Sequence, residues 1–173
     1  KRVGAGFLAE LADVPWKDNI HFYCSEEGTR ADLTTLLAAY APGDHVYTCG
    51  PDAYMQSVMD AASAFPEDAR HLEYFAVPEA PEYENHPFTI QLARDGRTFD
   101  VPEDKSAAEI LQTAGFKIDI KCSDGICGVC KCGVVEGEVE HRDFVLSKAQ
   151  RQDQIITCQS RASAPGGTLV LDL

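Results

Sequence analysis

Apolar positions along the first part of the chain alternate between two periods. Phe7, Leu8 and Leu11 recur at a helical interval and predict an amphipathic helix. Ile20-His21-Phe22-Tyr23-Cys24 is a short β-prone run. Leu33, Leu36, Leu37 and Tyr40 return to a helical period and predict a helix across 29–40. His45-Val46-Tyr47-Thr48-Cys49 reads as a second strand, closed by Gly50-Pro51; 52–64 is again helical, and 71–75 reads as a third strand. Strand, helix, strand, helix, strand predicts parallel βαβ units with right-handed crossovers. A parallel sheet has both faces covered and usually more strands than these. This layer therefore reads as incomplete, the C-terminal part of a longer polypeptide.

The pattern changes at Ala76–Pro87 (AVPEAPEYENHP), where prolines and glutamates oppose both helix and central strand. Beyond it, 88–93 alternates, Asp95-Gly96 makes a tight turn and 98–101 continues as a strand, which is a hairpin signal. Ser106-x-x-Glu109 is a capping box ahead of Ile110 and Leu111, with a stop at Gly115. Residues 133–140, 155–158 and 168–173 read as three more strands. The expected organisation is an α/β unit over 1–76, a linker over 77–86 and an α+β unit over 87–173.

Composition narrows the class. The chain of 173 residues is 45% apolar and 25% charged, enough for a core without disulfide staples. Its net charge of −13 is uneven, −10 over residues 1–86 and −3 over 87–173. Such acidity disfavours nucleic acid and anionic membranes as partners. No apolar run is long enough to span a bilayer. Glu10 and Asp13 interrupt the N-terminal apolar stretch, so it does not read as a signal peptide, and the cytoplasm is the expected compartment. There, clustered cysteines indicate metal or redox chemistry, and an odd total of seven opposes a closed disulfide framework. The five histidines show no ligand spacing, and Trp16 reads as core.

Four cysteines fall within CSDGICGVCKC, from Cys122 to Cys132. The spacing Cys122-x4-Cys127-x2-Cys130, with Cys158 after 27 intervening residues, is that of plant-type [2Fe–2S] sites. Two sulfide-bridged irons form a small anionic rhomb. A short loop can supply three thiolates, and the fourth comes from elsewhere in the fold. Gly125 and Gly128 allow positive φ and let backbone N–H groups approach sulfur, and Ser123 adds a hydroxyl donor. Small residues at 122–125 leave one side thin for electrons. A structural zinc site is the alternative, but only one C-x2-C pair fits its usual template. Cys132 competes with Cys130 as third ligand; the x2 spacing favours Cys130, with Cys132 starting the next strand and pointing inward. Glu136, Glu138 and Glu140 alternate as a solvated strand face or, with Asp124 and Asp143, as a docking patch. Arg142 and Arg161 are placed to contact the cysteine loop or the linker.

CSDGICGVC, the later TCQSRA and the TLVLDL ending resemble the ferredoxin domain of the phthalate dioxygenase reductase family, the reductase components of Rieske oxygenases and aromatic O-demethylases. YTCGPDAYM resembles the C-G-P segment of that family's NAD-binding domain, and HLEYF its HREYF-type sequence before the linker. The resemblance covers essentially the whole chain. It implies a β-grasp ferredoxin fold for 87–173 and the C-terminal half of a ferredoxin-reductase-type nucleotide domain for 1–76. It implies that Cys49, Gly50, Pro51 and Met55 border the nicotinamide of NADH, in keeping with ligand binding beyond the carboxyl ends of strands. An inert core cysteine is the other reading of Cys49. The implied activity is that of an NADH-dependent oxidoreductase. Electrons pass from NADH through FMN or FAD, held by a domain outside this segment, and a [2Fe–2S] cluster to a Rieske-type oxygenase. A plain ferredoxin carrier is the alternative.

Overall fold

The computed structural model describes residues 5–79 and 81–173. In the first unit β1 (Val46–Cys49) pairs in parallel with β2 (Arg70–Glu73), Val46 opposite Arg70 and Cys49 opposite Glu73. Helix α3 (Asp52–Ala61) makes the crossover between these strands. Val58, Ala62, Phe65 and Ala69 close a small core on Val46, with Leu33, Leu37 and Met59 at its edge.

Several expectations for this unit do not hold. The N-terminal helix is a single turn, α1 (Leu8–Leu11), with none of its residues buried. The predicted helix over 29–40 contracts to α2 (Leu33–Leu36). There the Asp32 carboxylate accepts from both the Thr35 N–H (3.1 Å) and its hydroxyl (2.8 Å), and such local bonds favour capped turns over long helices. Residues 20–24 run outside any sheet among the described residues, leaving two strands rather than three. A β-prone run becomes a strand only where a neighbour completes its ladder. Trp16 is 55% exposed rather than core, since the small core on Val46 is filled by other side chains.

The second unit is a five-stranded mixed sheet of β3 (Phe88–Leu92), β4 (Thr98–Val101), β5 (Lys131–Glu136), β7 (Gln154–Ile156) and β9 (Thr168–Asp172), in the order β4-β3-β9-β5-β7. The hairpin of β3 and β4 turns at Gly96, whose φ is +72°. Strand β9 runs parallel to β3 and antiparallel to β5, which pairs antiparallel with β7. Helix α4 (Ala107–Thr113) carries the expected capping box, with both Ser106–Glu109 bonds formed. It seats Leu111 among Ile90, Leu92, Val101, Ile155, Ile156, Leu169 and Leu171, all essentially inaccessible.

The single strand expected over 133–140 is broken. Gly137 (φ +104°) separates β5 from β6 (Val139–Glu140), which pairs with β8 (Arg161–Ala162). A Cβ at Gly137 would lie 2.4 Å from the Thr168 carbonyl, so only glycine passes there. The three glutamates therefore do not form one strand face: Glu136 ends β5, Glu138 lies in the break, and Glu140 is ion-paired with Arg142. Asp143 is buried, which removes it from any surface docking patch.

Two arginines fasten the residues before β3 to this sheet. Arg142 donates to Asn85 Oδ1 (2.6 Å) and the Glu84 carbonyl (3.0 Å) beneath the Tyr83 ring. Arg161, only 5% exposed, donates to the carbonyls of His86, Pro102 and Lys105. The two units touch where Lys148 N–H meets the Glu67 carboxylate (2.9 Å) and where the Tyr74 and Phe144 rings meet edge-on at 6.0 Å.

Candidate metal centre

Sheet register explains how a distant cysteine reaches the loop. Lys131 pairs with Ile156 across β5 and β7. One step further, the Cys130 carbonyl accepts from the Thr157 N–H (3.3 Å) and hydroxyl (2.8 Å). Cys158 is the next residue, just beyond the strand, with its side chain beside that of Cys130. Cys122 and Cys127 form a second pair, side chain beside side chain. The four thiols therefore stand as two pairs, Cys122 with Cys127 and Cys130 with Cys158. No three His, Cys, Asp or Glu side chains among the described residues gather round a single-ion site.

The loop backbone faces its sulfurs. Asp124 N–H lies 3.4 Å from Cys122 Sγ, and the N–H groups of Ile126 and Cys127 also point to it. Burial raises the Cys122 thiol, but these donors outweigh it and the thiol is lowered overall. The Cys158 thiol beside it pulls Cys130 down to about 6 against its burial, while the same contact and burial push Cys158 up. One proton shared between two close sulfurs is the physical origin of both shifts. Gly125 N–H adds a donor to Cys158.

Gly125 and Gly128 hold φ of +72° and +70°, and Ser123 also adopts a left-handed φ of 62°. A Cβ on Gly125 would stand 3.2 Å from Asp143 Cα and 3.3 Å from the Arg142 carbonyl. The Ser123 carbonyl accepts the Gln159 side-chain amide, tying the loop to the residue after Cys158. All seven cysteines are free; Cys127 is exposed, Cys122 half-buried, and Cys130 and Cys158 buried. Four thiols in two pairs, ringed by N–H donors and glycine-lined, match the donor set of a binuclear iron–sulfur group.

Cys132 lies apart from these pairs, in β5. Its Sγ is 3.5 Å from the Gly133 carbonyl and 4.0 Å from that of Asp172. Burial, with the Asp172 carboxylate, pushes its thiol up to about 11, the direction of a neutral core cysteine.

The other predicted site residues lie at the carboxyl end of β1. Cys49 Sγ donates to the Glu73 carbonyl (3.0 Å), Gly50 has φ of +148°, Pro51 caps α3, and Met55 is buried one turn in. A cavity of about 240 Å³ is lined by Tyr47, Thr48, Cys49, His71 and Glu73. Glu73 also borders a larger cavity, about 520 Å³, where Leu72, Tyr74 and Phe75 face Cys122, Cys127 and Val129. Cys49 thus lines the smaller cavity and Cys122 and Cys127 the larger, with Glu73 on both, whereas Gly50, Pro51 and Met55 line neither. Sequence reasoning missed Tyr74 and Phe75 at the larger cavity and Gln159 at the loop; their contacts are long-range and leave no local signal.

Residues 90–163 match the family model described as the 2Fe-2S iron-sulfur cluster binding domain. The chain is similar to phthalate dioxygenase reductase of Burkholderia cepacia, 36% identical over 172 residues, covering 98% of this chain and 53% of that one. It is similar to the carnitine monooxygenase reductase subunit of Escherichia coli (strain K12), 38% identical over 172 residues, covering 96% and 52%. A solved phthalate dioxygenase reductase, described as a modular structure for electron transfer from pyridine nucleotides to [2Fe-2S], superposes with a TM-score of 0.57 at 34% identity, covering 98% and 53%. The chain spans about half the length of the curated relatives it matches.

Proposed function

We propose that the chain is a member of the phthalate dioxygenase reductase family, to whose proteins it is similar over nearly its whole length, and that it is the cluster-bearing part of an NADH-dependent reductase. In this reading residues 1–76 are the C-terminal half of a ferredoxin-reductase-type NAD-binding domain, 77–86 a linker, and 87–173 a β-grasp ferredoxin unit. Electrons from NADH reach the second unit through FMN or FAD held outside these residues, and leave for a Rieske-type aromatic oxygenase or O-demethylase in the cytoplasm. No helix among the described residues is long and apolar enough to cross a membrane.

The observation that carries the proposal is the pairing of the four thiols. Cys122 with Cys127 and Cys130 with Cys158 would hold a pair of irons through their four thiolates. When bound, a plant-type cluster supplies one-electron chemistry near about −400 mV. The chain's own residues do the rest. The N–H groups of Asp124, Ile126, Cys127 and Gly125 stabilise negative charge on the sulfurs. The bonds from Thr157 to the Cys130 carbonyl and from Gln159 to the Ser123 carbonyl fix loop geometry. Cys49, Gly50, Pro51 and Met55 border the nicotinamide. Gly50 brings backbone close to a flat ring, and Glu73 leads from that pocket to the cavity beside Cys122 and Cys127. Acceptance by the partner is assigned to the exposed rim around Cys127.

Anaerobically purified protein tests the reading. Iron near two per chain, and visible bands that bleach with dithionite, are expected. A colourless, zinc-loaded protein would sink it. Bleaching by NADH in the presence of the flavin-bearing part is the expected mark of a reductase; bleaching by dithionite alone would leave a plain ferredoxin carrier.

A further inference from the structure

Behind the cysteine loop lies a buried charged group with no part in the electron path as drawn above. The Asp143 carboxylate is completely inaccessible. Its Oδ1 accepts from the N–H groups of Val145 (3.1 Å) and Leu146 (2.8 Å). Its Oδ2 has no hydrogen-bond partner and faces His141 Nδ1 at 3.5 Å, an atom equally buried and unpartnered. The other ring nitrogen, Nε2, lies 3.0 Å from the Arg151 carbonyl. A carbonyl only accepts, so Nε2 carries a proton and Nδ1 is the ring atom left facing Oδ2. Arg151 closes the group, donating to the Asp143 carbonyl (2.7 Å) with its guanidinium 3.7 Å from Oδ1. A buried carboxylate is costly unless paired in this way.

The segment organised by these charges touches both halves of the site. On one side the Phe144 N–H donates to the Gly125 carbonyl (3.1 Å), and the space a side chain at Gly125 would need is filled by Asp143 Cα and the Arg142 carbonyl. On the other side the Phe144 ring meets Tyr74 and the Lys148 N–H meets Glu67. Tyr74 in turn borders the cavity shared with Cys122 and Cys127.

We propose that Asp143, paired with His141 and Arg151, is a positioning residue: it holds residues 141–148 as a rigid strut that fixes the cysteine loop at Gly125 and sets that loop against Tyr74 and Glu67 of the first unit. The strut's effect on electron transfer rests on the function proposed above, but its mechanical role does not. It touches no reacting atom. It holds the distance and angle between the loop and the nucleotide-side junction, where an error of about 1 Å costs up to roughly a hundredfold in rate.

The test uses the intact holoprotein and two variants, Asp143→Asn and His141→Gln. Asp143→Asn keeps shape and the Oδ1 acceptor but removes the charge; His141→Gln breaks the same pair from the other side and carries the test if the first fails to fold. Hydrogen exchange at amides 123–128 and 144–148 is expected to quicken roughly tenfold or more, as for the loss of one partner of a buried ion pair. Iron content and the visible spectrum are expected to stay unchanged. Single-turnover bleaching by NADH is expected to slow at least tenfold. Wild-type exchange at 123–128 in both variants overturns the strut; quickened exchange with an unchanged bleaching rate overturns its positioning role. If exchange quickens while NADH fails to bleach the wild type, the strut stands and the reductase reading falls.

Discussion

At the scale of single residues the two buried cysteines of the second unit make opposite predictions. Cys158 lies two residues past β7 with its side chain beside Cys130, whereas Cys132 sits in the core with its thiol pushed up to about 11. Cys158→Ala is therefore expected to lose the cluster, and Cys132→Ala to keep its iron and visible bands; iron analysis of the two purified variants checks both. Gly125→Ala meets two obstacles. Its φ of +72° costs a side chain about 1–2 kcal/mol, and the new Cβ would press on Asp143 Cα at 3.2 Å. The expected outcome is poor cluster incorporation and a lowered melting temperature. The loop cysteines were legible because their spacing is local and chemically demanding. The His141–Asp143–Arg151 group was not: in the sequence Asp143 reads as one more surface acid. Only the fold reveals that Leu146, Val145 and His141 converge on it.

Elements divide by the same rule of range. The hairpin of β3 and β4 and the capping box of α4 were readable because turn and cap residues act within a few positions. Ser106 receives the Glu109 N–H at 3.2 Å, and the Glu109 carboxylate returns to Ser106 N–H at 2.8 Å. Ser106→Ala should destabilise the second unit by about 1 kcal/mol, measured by thermal melting. The box also has a pH signature. Bonds from the Ser106 N–H, then its hydroxyl, hold the Glu109 carboxyl below its ordinary 4.5. A depressed folded value means the contribution is complete above 4.5 and is lost as pH falls through the lower value. Wild-type and Ser106→Ala melts should therefore converge in acid, by a small amount because the group is exposed. Elsewhere period alone misled. Residues 20–24 have strand chemistry but no ladder, and 29–40 keeps one helical turn because its apolar stripe has little core to enter: Leu36 is 57% exposed. The break at Gly137 depends on the Thr168 carbonyl lying alongside, a contact across 31 residues that no local pattern contains.

For the whole molecule the question is where the second unit begins. Proline and glutamate content drew a linker over 77–86, with the unit starting at 87. Yet residues 83–86 are held by the second unit's own arginines: Arg142 reaches Tyr83, Glu84 and Asn85, and Arg161 reaches His86. The Pro87 carbonyl also accepts from Gly166 N–H at 2.8 Å. Composition reports stiffness and polarity, not which neighbour a strap lies on; the sequence offered Arg142 and Arg161 as contacts of the cysteine loop or the linker, and only the fold selects the linker. Two fragments separate the alternatives. Residues 81–173 keep every one of these contacts and should hold the cluster and melt cooperatively. Residues 88–173 leave the Arg161 guanidinium buried with Pro102 and Lys105 carbonyls but without His86, and free Arg142 from the strap. Bonds to a charged group are worth about 1.5–3 kcal/mol each, so the shorter fragment should be less stable by about 3 kcal/mol or more. Denaturant melts of both fragments measure the difference; equal midpoints would mean the strap lies on the sheet without stabilising it. Neither fragment carries Cys49, Gly50 or Glu73, so both should bleach with dithionite and neither should bind NADH. That pairing of outcomes separates the electron carrier from the nucleotide-handling unit within one chain.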